Sequence, residues 1–175
     1  MSAPVVQILP ERPGAPDVLE LLALSDAYMA ALYPPESNHM LDAQALSRDH
    51  VRFFVARGVL PGMVGQSQGG GGHPAGLALG CIALVIEEDG CGEIKRLFVR
   101  EAARGLGLGR RLLDCLEACA AQEGVHTLRL ETGIHQPEAH GLYESSGYVR
   151  RGPFGIYGPD PLCVFYEKRL PQPAR

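Results

Sequence analysis

The strongest chemical signal in the sequence is a glycine-rich turn that joins a predicted strand to a predicted helix. The strand pattern covers Glu93–Val99, the turn Arg104–Gly109 reads Arg-Gly-Leu-Gly-Leu-Gly, and the helix pattern covers Gly107–Glu123. The first amides of a helix have no partner within it, and glycine lets a ligand come close to the backbone. Arg110 and Arg111 add positive charge that suits phosphate oxygens. The segment therefore predicts a pyrophosphate-binding site.

Two other interpretations of this turn stay open on the residues alone. One is an ordinary tight turn whose arginines are solvated. The other is a dinucleotide-binding fingerprint, for which Glu131 stands at a suitable distance, about twenty residues further on. Leu112 occupies a position where that fingerprint has a small residue, and the turn follows a predicted antiparallel strand pair. Both features disfavour the dinucleotide interpretation.

Two blocks of the chain together resemble the GCN5-related N-acetyltransferase (GNAT) family. The turn Arg104–Gly109, with its Arg-x-x-Gly-x-Gly pattern, is similar to the family's acetyl-CoA motif. The segment Ala139–Tyr148 is similar to the second signature, an alanine followed by leucine-tyrosine and then by glycine-aromatic. The separation of the blocks also fits, and the matching segments span Ala75 to Leu170. The chain is identified as a member of this family, of a bacterial small-molecule type.

The resemblance implies acetyl-CoA as the cofactor and assigns its contacts. In this family the strand before the turn is splayed by a bulge and pairs its backbone with the pantetheine arm, a role that falls on Leu97, Phe98 and Val99. The pyrophosphate falls to the amides of Arg104, Gly105, Leu106, Gly107, Leu108, Gly109 and Arg110. Many relatives carry a cofactor-contacting asparagine where this chain has Thr132 and Gly133. Either Thr132 substitutes for it or the contact is absent.

The resemblance also implies direct acetyl transfer to an amine. Tyr143 matches a tyrosine that often donates a proton to the departing CoA thiolate, and Glu93 matches a glutamate that in some members accepts the proton of the amine. Both roles are needed, because a protonated amine is not a nucleophile and a thiolate leaves more easily when protonated. The Val99 amide is the candidate for polarising the carbonyl. For each side chain the alternative to a catalytic role is a structural one. Tyr143 would then pack in the core, and Glu93 would pair with Lys95 or Arg96.

The acceptor site is expected where the first predicted helix ends at a pair of prolines. Glu36, Ser37 and His39 follow with a carboxylate, a hydroxyl and an imidazole, and Tyr157 is expected across from them. A bacterial subset of the family carries a similar Pro-Glu-Ser-x-His stretch. The alternative is a helix-terminating loop with ordinary surface groups.

The charge of the acceptor stays open at this point. Glu36 and Asp160 would favour a cationic amine if both face the pocket. Arg52, Arg129 or Arg150 would instead favour an acceptor that carries a carboxylate, such as an amino acid. A small molecule is favoured over a basic protein tail, because the net charge of -4 does not indicate a strongly acidic surface.

The order of elements predicts an α+β fold: strands first, then strand–helix–strand–helix, then strands. The resemblance implies a mixed, mostly antiparallel central sheet with a splayed strand pair, flanked by helices in three layers. We expect one domain over residues 1–175, with a flexible glycine-rich loop at 59–74 and a loose tail at 171–175. Asp17 is expected to cap the first helix.

The composition excludes several classes of protein. Hydrophobic residues make up 46% and charged residues 21% of the 175 positions, which is typical of a soluble domain. The net charge of -4 argues against nucleic acid, and no apolar stretch is long enough for a membrane span. Five cysteines without a CxxC pair predict buried thiols, with no metal and a cytoplasmic location.

Two functions from different classes remain. The first is an N-acetyltransferase that moves an acetyl group from acetyl-CoA to a primary amine of a small molecule or amino acid. The second is a non-catalytic module that binds acetyl-CoA and senses its level. Many relatives dimerise through their sheets or late strands, so the resemblance allows a homodimer.

Overall fold

The computed structural model describes residues 5–60 and 76–171. The strands are β1 (Val6–Pro10), β2 (Val51–Gly58), β3 (Leu77–Ile86), β4 (Cys91–Val99), β5 (Thr127–Gly133), β6 (Val149–Arg151) and β7 (Cys163–Arg169), and the helices are α1 (Pro16–Leu32), α2 (Ala43–Leu46), α3 (Leu108–Gln122) and α4 (Pro137–Ser145). Short 3-10 helices lie at Pro35–Ser37 and Glu101–Ala103. The predicted glycine-rich loop from residue 61 on, and the predicted tail from residue 172 on, lie outside the described residues. No helix in the described ranges is both long and apolar enough to cross a bilayer.

The strands form one sheet in the order β1-β2-β3-β4-β5-β7-β6. Every neighbouring pair is antiparallel except β4 and β5, which run parallel on either side of α3 in the chain. The α+β class and the mixed, mostly antiparallel sheet are confirmed. Because a parallel pair needs a crossover, α3 must return across the sheet, and this brings its first turn beside the end of β4.

Each face of the sheet carries its own apolar core. Alternation along β2 sends Phe54 to the face covered by α3 and Phe53 to the face covered by α1. Leu112 and Leu116 of α3 and Leu21 of α1 are fully buried on these faces. Burial of each such leucine contributes about 1.5–3 kcal/mol, so both helices are held firmly against the sheet.

The start of α1 differs from the prediction. Ala15 occupies the N-cap position and no side chain caps the helix, so the prediction that Asp17 is the cap was wrong. The Asp17 carboxylate instead accepts hydrogen bonds from Arg57 at 2.6 Å and from the Ala78 amide at 3.0 Å. The Arg57 side chain is only 2% exposed, and Glu11 pairs with it at 2.6 Å. A buried guanidinium needs such partners, and this requirement decides where the Asp17 side chain points.

The strands β4 and β5 part beyond one residue pair. Their parallel register ends at Ile94 opposite Leu130, although both strands continue past it. On the other side of β4, the register with β3 shifts between Cys81 and Ala83, and Arg96 has a left-handed backbone with φ of 60°. This bulge turns the end of β4 away from β5, and the predicted splayed pair is confirmed.

The bulge is stabilised by the side chain of the residue that forms it. A left-handed backbone costs a residue with a Cβ about 1–2 kcal/mol. The Arg96 guanidinium is buried, pairs with Asp26 of α1 and donates to the Leu41 carbonyl at 2.8 Å. These contacts offset the cost and tie α1 to the point where the strands part.

Gly133 ends β5 against the ring of Tyr33, and this contact gives a stability prediction. A Cβ on Gly133 would overlap the hydroxyl and ring carbons of Tyr33. That hydroxyl accepts a hydrogen bond from the His135 amide at 2.9 Å, which fixes the ring. We expect Gly133→Ala to lower the free energy of unfolding by about 1–3 kcal/mol in urea denaturation, as overpacking of a buried site does.

Gly141→Ala is the matched control for this prediction. Gly141 lies within α4 and has no heavy atom within 4 Å of its Cβ position. Alanine is favoured over glycine in a helix interior by about 0.8–1 kcal/mol, so this variant should be more stable than the wild type. A Gly133→Ala protein as stable as the wild type would contradict the packing of Tyr33 against β5.

Candidate active site

The glycine-rich turn presents a run of backbone amides without partners. Gly105 and Gly107 both have left-handed backbones, with φ of 78° and 72°, and nothing lies within 4 Å of their Cβ positions. The amides of residues 105 to 110 find no acceptor among the described residues, whereas the Arg104 amide donates to Glu101 and the Arg111 amide to Gly107. Six consecutive donors therefore surround the start of α3, where the helix dipole also favours an anion.

The three arginines of this region have different surroundings. The Arg104 guanidinium lies 5.4 Å above the ring of Tyr28, and its Nε is 3.3 Å from the Val99 carbonyl oxygen. Arg110 donates to the hydroxyls of Ser145 and Ser146, at 2.6 and 2.7 Å. Arg111 donates to a backbone carbonyl of β1 at 2.7 Å. Only Arg104 brings its charge to the turn, and Arg110 offers its amide.

A cavity of about 460 Å³ fills the gap between β4 and β5 and reaches from the turn to the end of α1. Most of the predicted cofactor residues line it, as do two predicted acceptor residues and the predicted acid. These are Leu97, Phe98, Val99, Arg104, Gly105, Gly107, Leu108, Gly109, Thr132, Ser37, His39 and Tyr143. The other predicted site residues lie outside the lining: Leu106, Arg110, Glu93, Glu36 and Tyr157.

Tyr143 lies at the wall of this cavity between the turn and the gap. Its ring packs 5.6 Å from Tyr148 and 6.0 Å from Tyr166, and only 5% of the residue is exposed. Its hydroxyl has no hydrogen-bond partner among the described residues. Burial, with a smaller contribution from the charge of Glu131, raises the pKa of Tyr143 above its usual value. The phenol therefore keeps its proton at neutral pH.

Glu93 lies in a polar cluster with Lys95 and Tyr157 just behind the cavity wall. Lys95 is 3.0 Å from Glu93, and its ammonium also donates to the Tyr157 hydroxyl and, at 3.2 Å, to the His39 carbonyl. The Tyr157 hydroxyl donates to Glu93. The ion pair between Glu93 and Lys95 that the sequence allowed is present. Of the two, only Lys95 lines the cavity.

Glu131 is a residue of this site that was not predicted from the sequence. Glu131 follows Leu130, the last β5 residue that pairs with β4, and it is one of the residues that line the cavity. No lysine or arginine of the described residues forms an ion pair with it. Burial first, and then a hydrogen bond from the thiol to the Glu131 carboxylate, raise the pKa of Cys163 beside it. The sequence did contain a signal for Glu131 as a site residue. It is a charged residue at the end of a buried strand, directly beside the candidate Thr132.

Of the predicted acceptor residues, Ser37 and His39 line the cavity, and Tyr157 packs against His39 outside the lining. Ser37 is buried, and hydrogen bonds from its hydroxyl and from the Leu162 amide hold the pKa of Asp160 below its usual value. The His39 ring packs edge-on against Tyr157, with 5.2 Å between centroids. The expected proximity of His39 and Tyr157 is therefore observed, whereas Glu36 lies outside the cavity lining.

The arginines considered for a carboxylate-bearing acceptor lie elsewhere. Arg52 pairs with Glu123 at 2.6 Å, Arg129 pairs with Glu87, and Arg150 lies 3.4 Å from Glu144. None of these arginines lines the cavity. Several residues that do line it were not predicted, and their apolar or amide side chains gave no chemical signal: Tyr28, Met29, Met40 and Gln136.

The parted strands and the amide-rich turn fit an acyltransferase, and comparison with known proteins shows that class and gives the family. The model of the Acetyltransferase (GNAT) family matches residues 20–148, which is most of the chain. The chain therefore belongs to the GNAT family, and the resemblance seen in the two sequence blocks is confirmed.

Individual relatives agree with this assignment. The chain is 44% identical over 168 residues to an IAA acetyltransferase from Azospirillum brasilense, a match that covers 95% of this chain and 99% of the relative. It is 32% identical over 145 residues to the uncharacterized N-acetyltransferase YsnE of Bacillus subtilis, over 81% and 85% of the two chains. A solved structure from Klebsiella pneumoniae, provisionally described as an acyl-CoA N-acyltransferase, is 38% identical with a TM-score of 0.72, over 94% and 97% of the chains.

Proposed function

We propose that this protein transfers an acetyl group from acetyl-CoA directly to a primary amine of a small molecule. The observation that carries the proposal is one continuous cavity that joins the unpartnered amides of the turn, the protonated hydroxyl of Tyr143 and a polar end at Ser37 and His39. The name of the Azospirillum relative, an IAA acetyltransferase, also favours a small acceptor over a protein.

The residues present fit the cofactor that the family implies. Six free amides and the Arg104 guanidinium would hold the pyrophosphate, and the open space at Gly105 and Gly107 leaves room for its approach. Beyond Ile94, the edge of β4 that faces β5 has no strand partner among the described residues, so Leu97 to Val99 would pair with the pantetheine amides. When bound, acetyl-CoA supplies the activated acetyl group.

The chain itself supplies the proton transfers. Tyr143 holds a proton on Oη at neutral pH and lines the cavity, which supports it as the proton donor. Glu93 was the expected base, but its carboxylate is held by Lys95 and Tyr157 behind the wall. Glu131 reaches the cavity with no ion-pair partner among the described residues, which favours it as the acceptor of the amine proton.

Paired substitutions separate the two candidate bases. We expect Glu131→Gln to lower kcat/KM for the amine roughly 10²–10⁴-fold, the usual contribution of a general base. Glu93→Gln is the matched control at the neighbouring strand and should cost much less. Both variants should bind CoA as the wild type does, because neither side chain lies at the turn. A larger loss for Glu93→Gln would return the role of the base to Glu93.

Release of free thiol from acetyl-CoA tests the function itself. Pools of primary amines and amino acids are added to the purified protein, and the thiol is read with a chromogenic disulfide. We expect release that depends on at least one amine. Tight acetyl-CoA binding without amine-dependent release from any pool would favour the non-catalytic sensing module.

A further inference from the structure

Some charged side chains at the acceptor end of the cavity are already paired within the protein, and others are available to bind a substrate. Within residues 5–60 and 76–171, the lysine and arginine residues that line the cavity are Lys95, Arg96 and Arg104. Arg104 belongs to the turn, where the proposed cofactor site uses its charge. An ion pair between the protein and a carboxylate on the acceptor would therefore have to be made by Lys95 or Arg96.

Lys95 has no free donor left for an acceptor. An ammonium group has three N–H donors. In this protein those donors have three acceptors, namely the Glu93 carboxylate at 3.0 Å, the His39 carbonyl at 3.2 Å and the Tyr157 hydroxyl. Its side chain is only 10% exposed, and the adjacent Glu93 neutralises its charge.

Arg96 is also committed within the protein. Its side chain is 2% exposed, its guanidinium pairs with Asp26, and its Nε donates to the Leu41 carbonyl at 2.8 Å. To bind a substrate it would have to leave contacts that stabilise the left-handed backbone of the β4 bulge. Arg96 therefore lines the cavity without offering it a free cation.

The free charge at the gap between the strands is negative. Lys95 and Glu131 are the first residues beyond the last β4–β5 pair, one on each side of the gap. The Lys95 charge is neutralised, whereas Glu131 has no ion-pair partner among the described residues. Glu138 adds a second carboxylate to the lining of the same cavity. A protonated amine is attracted to this site, and a carboxylate beside that amine would meet Glu131 with no unpaired lysine or arginine of the described cavity lining to balance it.

We infer that the acceptor is a cationic primary amine that carries no carboxylate next to its amino group, and that amino acids are poor acceptors. This inference rests on the proposed function, and it selects one of the two acceptor classes that the sequence left open. The negative charge of Glu131 repels the carboxylate of an amino acid. The site therefore discriminates against amino acids without a specific contact to the preferred amine.

Binding of matched acceptor series to the CoA-saturated protein tests the inference. Each series contains an amine, the corresponding amino acid and the amino acid carboxamide, for example tyramine, tyrosine and tyrosinamide, or 1,4-diaminobutane, ornithine and ornithinamide. Calorimetry at pH 7 is used, where an ordinary imidazole is mostly neutral and the amino groups of all three acceptor types are still mostly protonated. We expect the amine and the carboxamide to bind at least tenfold more tightly than the amino acid in every series that binds.

Glu93→Gln provides an internal check, because it leaves the Lys95 charge unbalanced. The ratio of amino acid to amine affinity should rise at least threefold in this variant and should stay at the wild-type value in Glu93→Gln/Lys95→Met. Amino acids that bind the wild type as tightly as their amines would overturn the inference, as would failure of all three acceptor types to bind. Amines that bind selectively but release no thiol would leave the inference standing and overturn the proposed function.

Discussion

Gly107→Val is expected to weaken CoA binding at least tenfold, a loss of about 1.4 kcal/mol or more in binding free energy. Gly107 precedes α3 with φ of 72° and carries one of the six unpartnered amides. A β-branched residue is strained in this conformation and would either turn the amides of the turn out of alignment or fill the open space in front of them. Calorimetric titration of the variant with CoA measures the effect.

Gly124→Val is the matched control at the other end of α3. Gly124 has φ of 77° and, like Gly107, no heavy atom within 4 Å of its Cβ position. Both variants should therefore lose a similar amount of stability, about 1–2 kcal/mol from the backbone conformation. CoA affinity should fall only for Gly107→Val. Equal affinities in the two variants would show that the turn does not hold the cofactor.

Tyr143→Phe is expected to lower kcat roughly 10²–10⁴-fold while CoA affinity and fold are retained. The hydroxyl lines the cavity and makes no hydrogen bond to the described residues, so its removal leaves no group unsatisfied. The ring itself still fills its place against Tyr148 and Tyr166. Steady-state kinetics with the best amine found, together with urea denaturation, gives both quantities.

Tyr148→Phe separates catalysis from packing in the same aromatic cluster. The Tyr148 hydroxyl donates to Glu117 at 2.9 Å and does not line the cavity. Loss of a hydrogen bond to a charged group typically costs about 1.5–3 kcal/mol of stability, with kcat almost unchanged. If Tyr143→Phe behaved like Tyr148→Phe, losing stability and keeping kcat, Tyr143 would be a core residue and the proposed acid would have to be sought elsewhere.

The cofactor half of the site was predictable from the sequence because its requirements are local. A glycine at a left-handed backbone position, followed by the start of a helix, leaves consecutive amides free whatever the rest of the chain does. Gly105 and Gly107 have that backbone, and the unpartnered amides follow from it. The alternation along β2 likewise sends Phe53 and Phe54 to opposite faces, and the structure shows which helix covers each face.

The acceptor half was less predictable because its charges are set by contacts between distant segments. Lys95 meets Tyr157 across 62 residues of sequence, and that contact decides whether its charge is available to a substrate. Glu131 was considered only as part of a dinucleotide fingerprint. Its place in the cavity lining depends on the position at which β4 and β5 separate, which the sequence pattern did not indicate. Asp17 was predicted as a helix cap because the buried Arg57 that recruits it lies 40 residues away.

Equilibrium dialysis of the purified protein against CoA, acetyl-CoA and NAD tests the central claim most directly, since it measures occupancy of the amide-rich turn without requiring an acceptor. Our prediction is saturable binding of one CoA or one acetyl-CoA per chain, competition between the two, and no binding of NAD at the same concentrations. Folded protein that retains neither CoA nor acetyl-CoA, or that retains NAD in their place, would contradict it.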